Sequence, residues 1–344
     1  MTIPDGADTG AAAGDRRCSL SAVTMYFGGD VYSSVDPFAT ALGHTDGKVS
    51  FIGSDEAAKA LDPDAIDLAG DLLAPGFVHA GLVLDGTAPA AARLHERGFT
   101  HVHAIGTAEA IAEFSAGAPA GLAIVDYPML GADGTAGTSS AAAAGGSGNS
   151  RAAVDAADFL ALEDLPALSL FVLIESDERL DQVLARLQAE PAHAQRHGYR
   201  LLLDFTLDEA QVEPLGRSGV AVTVDPARPQ PLAQLLAAGA QISLSHSESS
   251  PWASVRAAVV GDSGIGARAG FNAATRFAHR AAGNPEGGVL APGAEADIVR
   301  WKVERLVVQV ADPRVAAWST DPRSGTPGLP ELAPDVPLPI RVEL

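Results

Sequence analysis

Between residues 76 and 283, short apolar runs alternate with alanine-rich stretches of helical period, and this alternation restricts the chain to parallel β/α units. The apolar runs are FVHAGLVL, FTHVHAIG, GLAIVDYP, LSLFVLIE, RLLLDF, VAVTVD and QISLSH. The helical stretches include AAARLHERG, TAEAIAEFSAG, SDERLDQVLARLQAEPAHAQRHG, LDEAQVEPLGRSG, RPQPLAQLLAAG and SPWASVRAAVVG. A helix between two strands carries the chain back over the sheet, so consecutive strands run parallel. A barrel is one closure of such units, and a complete eightfold barrel usually takes about 250 residues. The segment 75–284 falls short of that, which predicts a barrel that is abbreviated or lacks a unit. A missing unit would expose sheet edges, so an oligomer or a partner chain is expected to cover them.

The flanks read differently. From Ala22 to Leu73 the runs AVTMYFGGDVY, KVSFIGS and AIDLAGDLLAPGFV are β-rich and separated by turns, the pattern of a small antiparallel sheet. β character returns in ADIVRWKVERLVVQVAD, before a proline-rich end. The simplest arrangement makes one β-sandwich from both chain ends, residues 17–74 and 285–344, with the barrel of residues 75–284 inserted in it. Residues 1–16 read as a disordered leader. The stretch 131–150, GADGTAGTSSAAAAGGSGNS with its flanking residue order, has almost no apolar bulk to offset the entropy of ordering and reads as a flexible loop.

A formal charge of -20, from 23 Lys and Arg against 43 Asp and Glu, opposes binding to nucleic acid and to anionic lipid. No apolar run reaches the ~18–20 residues of a spanning helix. Cys18 is the single cysteine, so no internal disulfide can form, which fits a cytoplasmic location.

The stretch LDPDAIDLAGDLLAPGFVHAGLVLDG, the eighth-strand segment AGAQISLSHSESSPWASVRAAV and the tail FNAATRFAHRAAGNPEGGVLAPGAEADIVRW resemble the metal-dependent amidohydrolase superfamily. DPFATAL and WSTDPRSGTPGLPEL are similar to the branch that contains N-substituted formamide deformylases. The resemblance implies a TIM-like (β/α) barrel inserted in a composite β-sandwich, and hydrolysis of a non-peptide carbon–nitrogen bond in a small amide, formamide or cyclic amide.

That family's site begins with two histidines at i and i+2 on the first strand. Alternation puts both on one side, where they can share a cation. Later histidines and a final aspartate complete a site whose open position carries an acidified water. Carried onto this chain, the paired histidines fall on Gly81 and Val83, the fifth- and sixth-strand histidines on Leu173 and Leu203, and the aspartate on Ser247. Glycyl and aliphatic side chains offer no lone pair. A bridging lysine is excluded as well, because Lys48, Lys59 and Lys302 all lie outside the barrel segment. The resemblance therefore implies a family member whose inherited metal site is lost, with no cofactor expected.

Other polar residues compete for a role. His79 shares strand parity with Gly81, while His101 and His103 form an i, i+2 pair one unit later. With His246, they define a relocated metal site, to which Asp126, Asp204 and Asp225 at strand ends would add oxygen ligands or a base. The competing reading makes the histidines hydrogen-bonded core or rim residues and the aspartates helix caps. His193 and His197 read as helix-end residues, GDSG at 261–264 as a loop, and Ser250-Pro251 as a helix start. Two functions follow: a metal-free relative acting as a small-molecule-binding or partner subunit, alone or paired with a related chain, or an active hydrolase with a divalent metal such as zinc in the relocated site.

Overall fold

Eight parallel strands succeed one another in the computed structural model, which describes residues 23–130, 150–246, 250–303, 305–309, 318–319 and 327–343. They are labelled here β1 (Phe77–Val83), β2 (Phe99–Gly106), β3 (Ala123–Pro128), β4 (Arg151–Asp155), β5 (Ser169–Ile174), β6 (Arg200–Leu203), β7 (Ala221–Val224) and β8 (Gln241–Leu244). β1 to β3 pair in order as one sheet, and β4 to β8 pair in order as a second. The two sheets adjoin where Met129 bridges Ala153 in parallel and Leu130 N–H donates to Ala153 O at 2.8 Å. The result is a mixed α/β fold dominated by parallel pairing.

Seven of these strands are the seven apolar runs of the sequence. The eighth, β4, is RAAVD, whose alanines carry too little bulk to stand out beside the low-complexity stretch before it. Every unit expected of an eightfold repeat therefore contributes a strand. The shortness of the segment is in its helices: Ala91–Glu96, Ala156–Ala161 and Leu232–Ala237 have 6 residues each. The long stretch after β5 is broken in two, Asp177–Ala189 and Pro191–Arg196, because proline cannot continue a helix interior. The leader, Cys18, the stretch 131–149 and Ser247 lie outside the described residues.

Local chemistry sets the helix starts. Thr107 Oγ1 accepts from Ala110 N at 3.2 Å and Ser176 Oγ from Arg179 N at 3.3 Å, each satisfying an otherwise free first-turn donor. Ser250 Oγ does the same for Ala253 N at 3.0 Å, with Pro251 at the first helical position of Pro251–Val260.

Strands from both flanks share a sheet. A four-stranded sheet has the order Ile340–Arg341, Ile298–Trp301, Leu72–Pro75, Asp30–Val31, so two strands from after the parallel units join two from before them through the antiparallel pair Ile298–Trp301 and Leu72–Pro75. A second sheet contains Lys48–Gly53, Ala41–Thr45, Thr24–Phe27 and Ile66–Asp67. It departs from the antiparallel expectation at one edge, where Thr24–Phe27 and Ile66–Asp67 are parallel. No helix among the described residues is long and apolar enough to cross a membrane.

Two apolar layers flank the parallel strands. One joins Leu170, Val172, Leu201, Leu203, Val222 and Val224 to helix residues such as Leu180, Leu184 and Val255. The other gathers Ile105, Tyr127, Ala153, Phe171 and Leu202, with Val125, Met129 and Leu173 against them, from β2 to β6 and the residue after β3. These are the alternate residues of the strands, facing away from the helices. Such near-continuous burial on both faces is what parallel strands require.

Candidate functional site

Arg200, the first residue of β6, is fully buried and reaches across the space bounded by the non-helical face of the strands. Its Nη1 donates to His103 Nδ1 on β2 (3.1 Å) and to Tyr127 Oη on β3 (3.2 Å). Its Nη2 donates to Ala80 O on β1 (2.9 Å) and to Thr223 Oγ1 on β7 (3.3 Å). Its guanidinium also lies 4.3 Å from the Phe171 ring centroid on β5. None of these partners is a carboxylate. Burial lowers the Arg200 pKa, with Tyr127 opposing the shift. A cation held this way repels any second cation brought to the same space. His103, whose Nδ1 accepts from Arg200, is kept neutral by burial and by that guanidinium, so its pKa falls well below the usual value.

The position implied for the first family ligand is occupied in a different sense. A Cβ on Gly81 would meet Leu202 Cδ1 at 3.2 Å, Phe171 Cζ at 3.4 Å and Thr223 Cγ2 at 3.5 Å, so any side chain here would begin in contact with three neighbours, one of which must give by a few tenths of an ångström. Val83 ends β1 and is 36% exposed. Leu173 lies beside the inner apolar cluster. Leu203 does not face that way: it packs in the helix-side layer, and the residue of β6 in the inner cluster is Leu202. The sequence register for the sixth strand was thus one residue off, since a one-residue slip reverses the face.

The histidines expected to form a relocated metal site are divided among three places. His79 packs against Phe99 and His246, its Nε2 lying 3.2 Å from His246 O, while His246 Nε2 lies 3.1 Å from Val78 O. The register of β1 on β2 shifts between His79 and Leu82, so parity with Gly81 does not carry His79 to Arg200. Burial lowers the His79 pKa to about 4, against the opposing effects of the His246 carbonyl and of Asp225. Burial and then the charge of His79 lower that of His246 well below its usual value. Both Nδ1 atoms are buried without a hydrogen-bond partner. His103 belongs to the Arg200 cluster.

His101 belongs to a third group. Its Nδ1 is 2.8 Å from Asp297 Oδ2, and the ring centroids of His101 and His279 are 4.4 Å apart. His279 Nε2 is 3.9 Å from the same oxygen, while Arg341 Nη1 lies 3.3 Å from Asp297 Oδ1. This group sits at the amino-terminal ends of the first strands: Asp297 O accepts from Gly76 N at 3.1 Å, just before β1, and Arg341 donates to Gly121 O, just before β3. Burial, then the charge of His101, lowers the His279 pKa to about 3, with Asp297 opposing. Burial alone would raise the Asp297 carboxyl, but His101, His279 and Arg341 together hold it below its usual range. Among the described residues, His101, His279 and Asp297 are the group of three whose ligand atoms lie within 4.8 Å of one another.

The aspartates divide similarly. Asp126, near the end of β3, lies on the strand face opposite that of Val125 and Tyr127, which belong to the inner cluster. Asp204 pairs with Arg228 at 2.7 Å on the surface. Asp225 follows β7, and its Oδ1 accepts from Ala227 N at 2.9 Å, a local turn contact. His193 Nε2 lies 3.2 Å from Pro166 O, beside His197, and Gly261 to Gly264 form the turn after a helix. Sequence reasoning missed Arg200, His279 and Asp297. An arginine opening the run RLLLDF was the available signal, since a charge at the head of an otherwise aliphatic strand must find buried partners.

No protein-family model matches the sequence, nor does any curated protein. Solved structures do match in fold. An uncharacterized metal-dependent hydrolase from Pyrococcus horikoshii aligns with TM-score 0.59 at 12% identity, over 83% of this chain and 98% of its own. The fold is that of metal-dependent hydrolases. N-isopropylammelide isopropylaminohydrolase from Burkholderia multivorans aligns with TM-score 0.60 at 14% identity, over 82% of this chain and 92% of its own. A triazine hydrolase variant aligns with TM-score 0.51 at 14% identity, over 87% and 92% of the two chains. At such identities this metal-dependent hydrolase fold carries no assignment of activity.

Proposed function

We propose that this chain is an amidohydrolase superfamily member, nearest the formamide deformylase branch, in which the inherited catalytic metal site has been replaced by packed side chains. Its eight β/α units close as a barrel, residues 75–284, inserted in a β-sandwich formed by residues 17–74 and 285–344. Arg200 supports the closure, because one side chain of β6 reaches β1, β2, β3 and β7. The chain acts as a small-molecule-binding or partner subunit in the cytoplasm, as a homo-oligomer or with a related chain, and not as a hydrolase of carbon–nitrogen bonds.

The observation that carries this reading is the approach of Leu202, Phe171 and Thr223 to Gly81, with the Arg200 guanidinium bonded to the neighbouring His103. A water activated for attack needs a cation held by several donors. Here the corresponding space presents apolar atoms and a fixed positive charge. The test is hydrolysis of a panel of N-substituted formamides, small amides and cyclic amides, with zinc, iron, nickel or manganese supplied in turn. No turnover above the buffer blank is expected. Turnover that copurifies with the chain and disappears in a His103→Gln variant would overturn the reading. Light scattering after size exclusion tests the assembly, and a stable monomer that binds no related chain removes that part.

A further inference from the structure

We propose that His101, His279 and Asp297 form a divalent transition-metal site at the amino-terminal ends of the parallel strands. It lies at the opposite strand ends from Val83, the last residue of β1, and does not depend on the function proposed above.

The three donors come from segments far apart in sequence: β2, the helix Arg276–Ala281, and the residue before the strand Ile298–Trp301. Two imidazole nitrogens and a carboxylate oxygen suit zinc and its neighbours rather than magnesium or calcium. A tetrahedral ion with bonds of about 2.0–2.1 Å holds its ligand atoms about 3.4 Å apart. The observed separations of 2.8 Å for His101 Nδ1 and 3.9 Å for His279 Nε2 from Asp297 Oδ2 bracket that value, and all three ligand atoms lie within 4.8 Å of one another, so side-chain adjustment is needed to close the triangle on an ion. A solvent molecule would take the fourth position.

An ion pair alone is the competing explanation. It accounts for Arg341, which engages Oδ1, and for the approach of His101. It leaves one buried atom unexplained, because His279 Nε2 has no hydrogen-bond partner among the described residues and stands 3.9 Å from Asp297 Oδ2, which His101 already engages at 2.8 Å. The His279 side chain is only 3% exposed and that of Asp297 only 11%. Buried polar atoms of this kind are normally paired, and an unpaired one costs about 1–3 kcal/mol. His279 Nε2 lies within 4.8 Å of the other two ligand atoms, with a neutralising carboxylate present, unlike the space beside Arg200.

The experiment titrates the full chain, freed of metal by chelator, with cobalt(II), followed by visible absorption and elemental analysis. The expected result is one equivalent per chain with the intense visible bands of tetrahedral cobalt, displaced by zinc. His279→Gln and Asp297→Asn should each weaken binding by about tenfold or more. A His193→Gln, His197→Gln double variant should bind as the parent does. If His279→Gln fails to fold by circular dichroism, His101→Gln, at a partly exposed ring, carries the same readout. No tetrahedral spectrum in the parent, or an equal spectrum in the folded His279→Gln or His101→Gln variant, overturns the site. Neither result bears on hydrolysis, which the amide panel decides.

Discussion

His79 and His246 each donate a ring N–H to the other's strand: His79 Nε2 to His246 O at 3.2 Å and His246 Nε2 to Val78 O at 3.1 Å. The exchange joins β1 to the residues just after β8, and it fixes the proton of each neutral ring on Nε2. Each Nδ1 is then a buried lone pair with no hydrogen-bond partner, and a second proton there would have no acceptor.

Acid should therefore destabilise the fold within a defined window. The folded His79 pKa is about 4, below its ordinary value of 6.5, so the unfolded chain binds more protons between these limits. The stability is complete above about pH 6.5 and is lost as pH falls toward 4, by about 3 kcal/mol for this residue alone. His246 acts in the same direction. Urea denaturation from pH 8 to pH 4 should show the decline, and a flat profile between pH 6.5 and 4.5 would contradict it.

Restoring histidine at the first-strand position should not restore a site. Gly81→His places a Cβ at 3.2 Å from Leu202 Cδ1 and an imidazole beyond it among Phe171 and Thr223. Overpacking of this kind costs about 1–3 kcal/mol. The urea midpoint should fall, with no gain in cobalt binding; an unchanged midpoint would mean that the space is open.

Arg200 should be costly to truncate. Arg200→Ala leaves a cavity and strips partners from His103, Tyr127, Ala80 and Thr223, for a loss of about 3–5 kcal/mol. Arg200→Met refills most of the volume without the charge and should lose at least about 1 kcal/mol less. Equal losses in the two variants would place the contribution in the hydrogen bonds and not in packing.

Ser250→Ala removes the side-chain acceptor for Ala253 N at the start of Pro251–Val260. The expected cost is about 1 kcal/mol. A glycine at the same position should cost only a few tenths, and circular dichroism with urea titration separates the two.

Much of the scaffold was legible because it depends on neighbours in sequence. Seven strands announced themselves by apolar runs, and Ser250 by its place before a helical stretch. RAAVD was not legible, since alanine carries little pattern of either period. That Gly81 and Val83 offer no metal-donor atom is legible too, because what a side chain lacks needs no coordinates to read; that they stand where the family has ligands is what the resemblance implies.

What the sequence determined by itself was thus periodicity, capping and donor inventory. Which histidine meets which partner was decided only in three dimensions. His101 and His103, two residues apart on β2, end in different clusters, one with Asp297 and the other with Arg200. His79 joins neither, because β1 shifts register against β2 before Leu82. The physical reason is that parity along a strand orients a side chain, while the group opposite it comes from whatever distant segment the packing brings there.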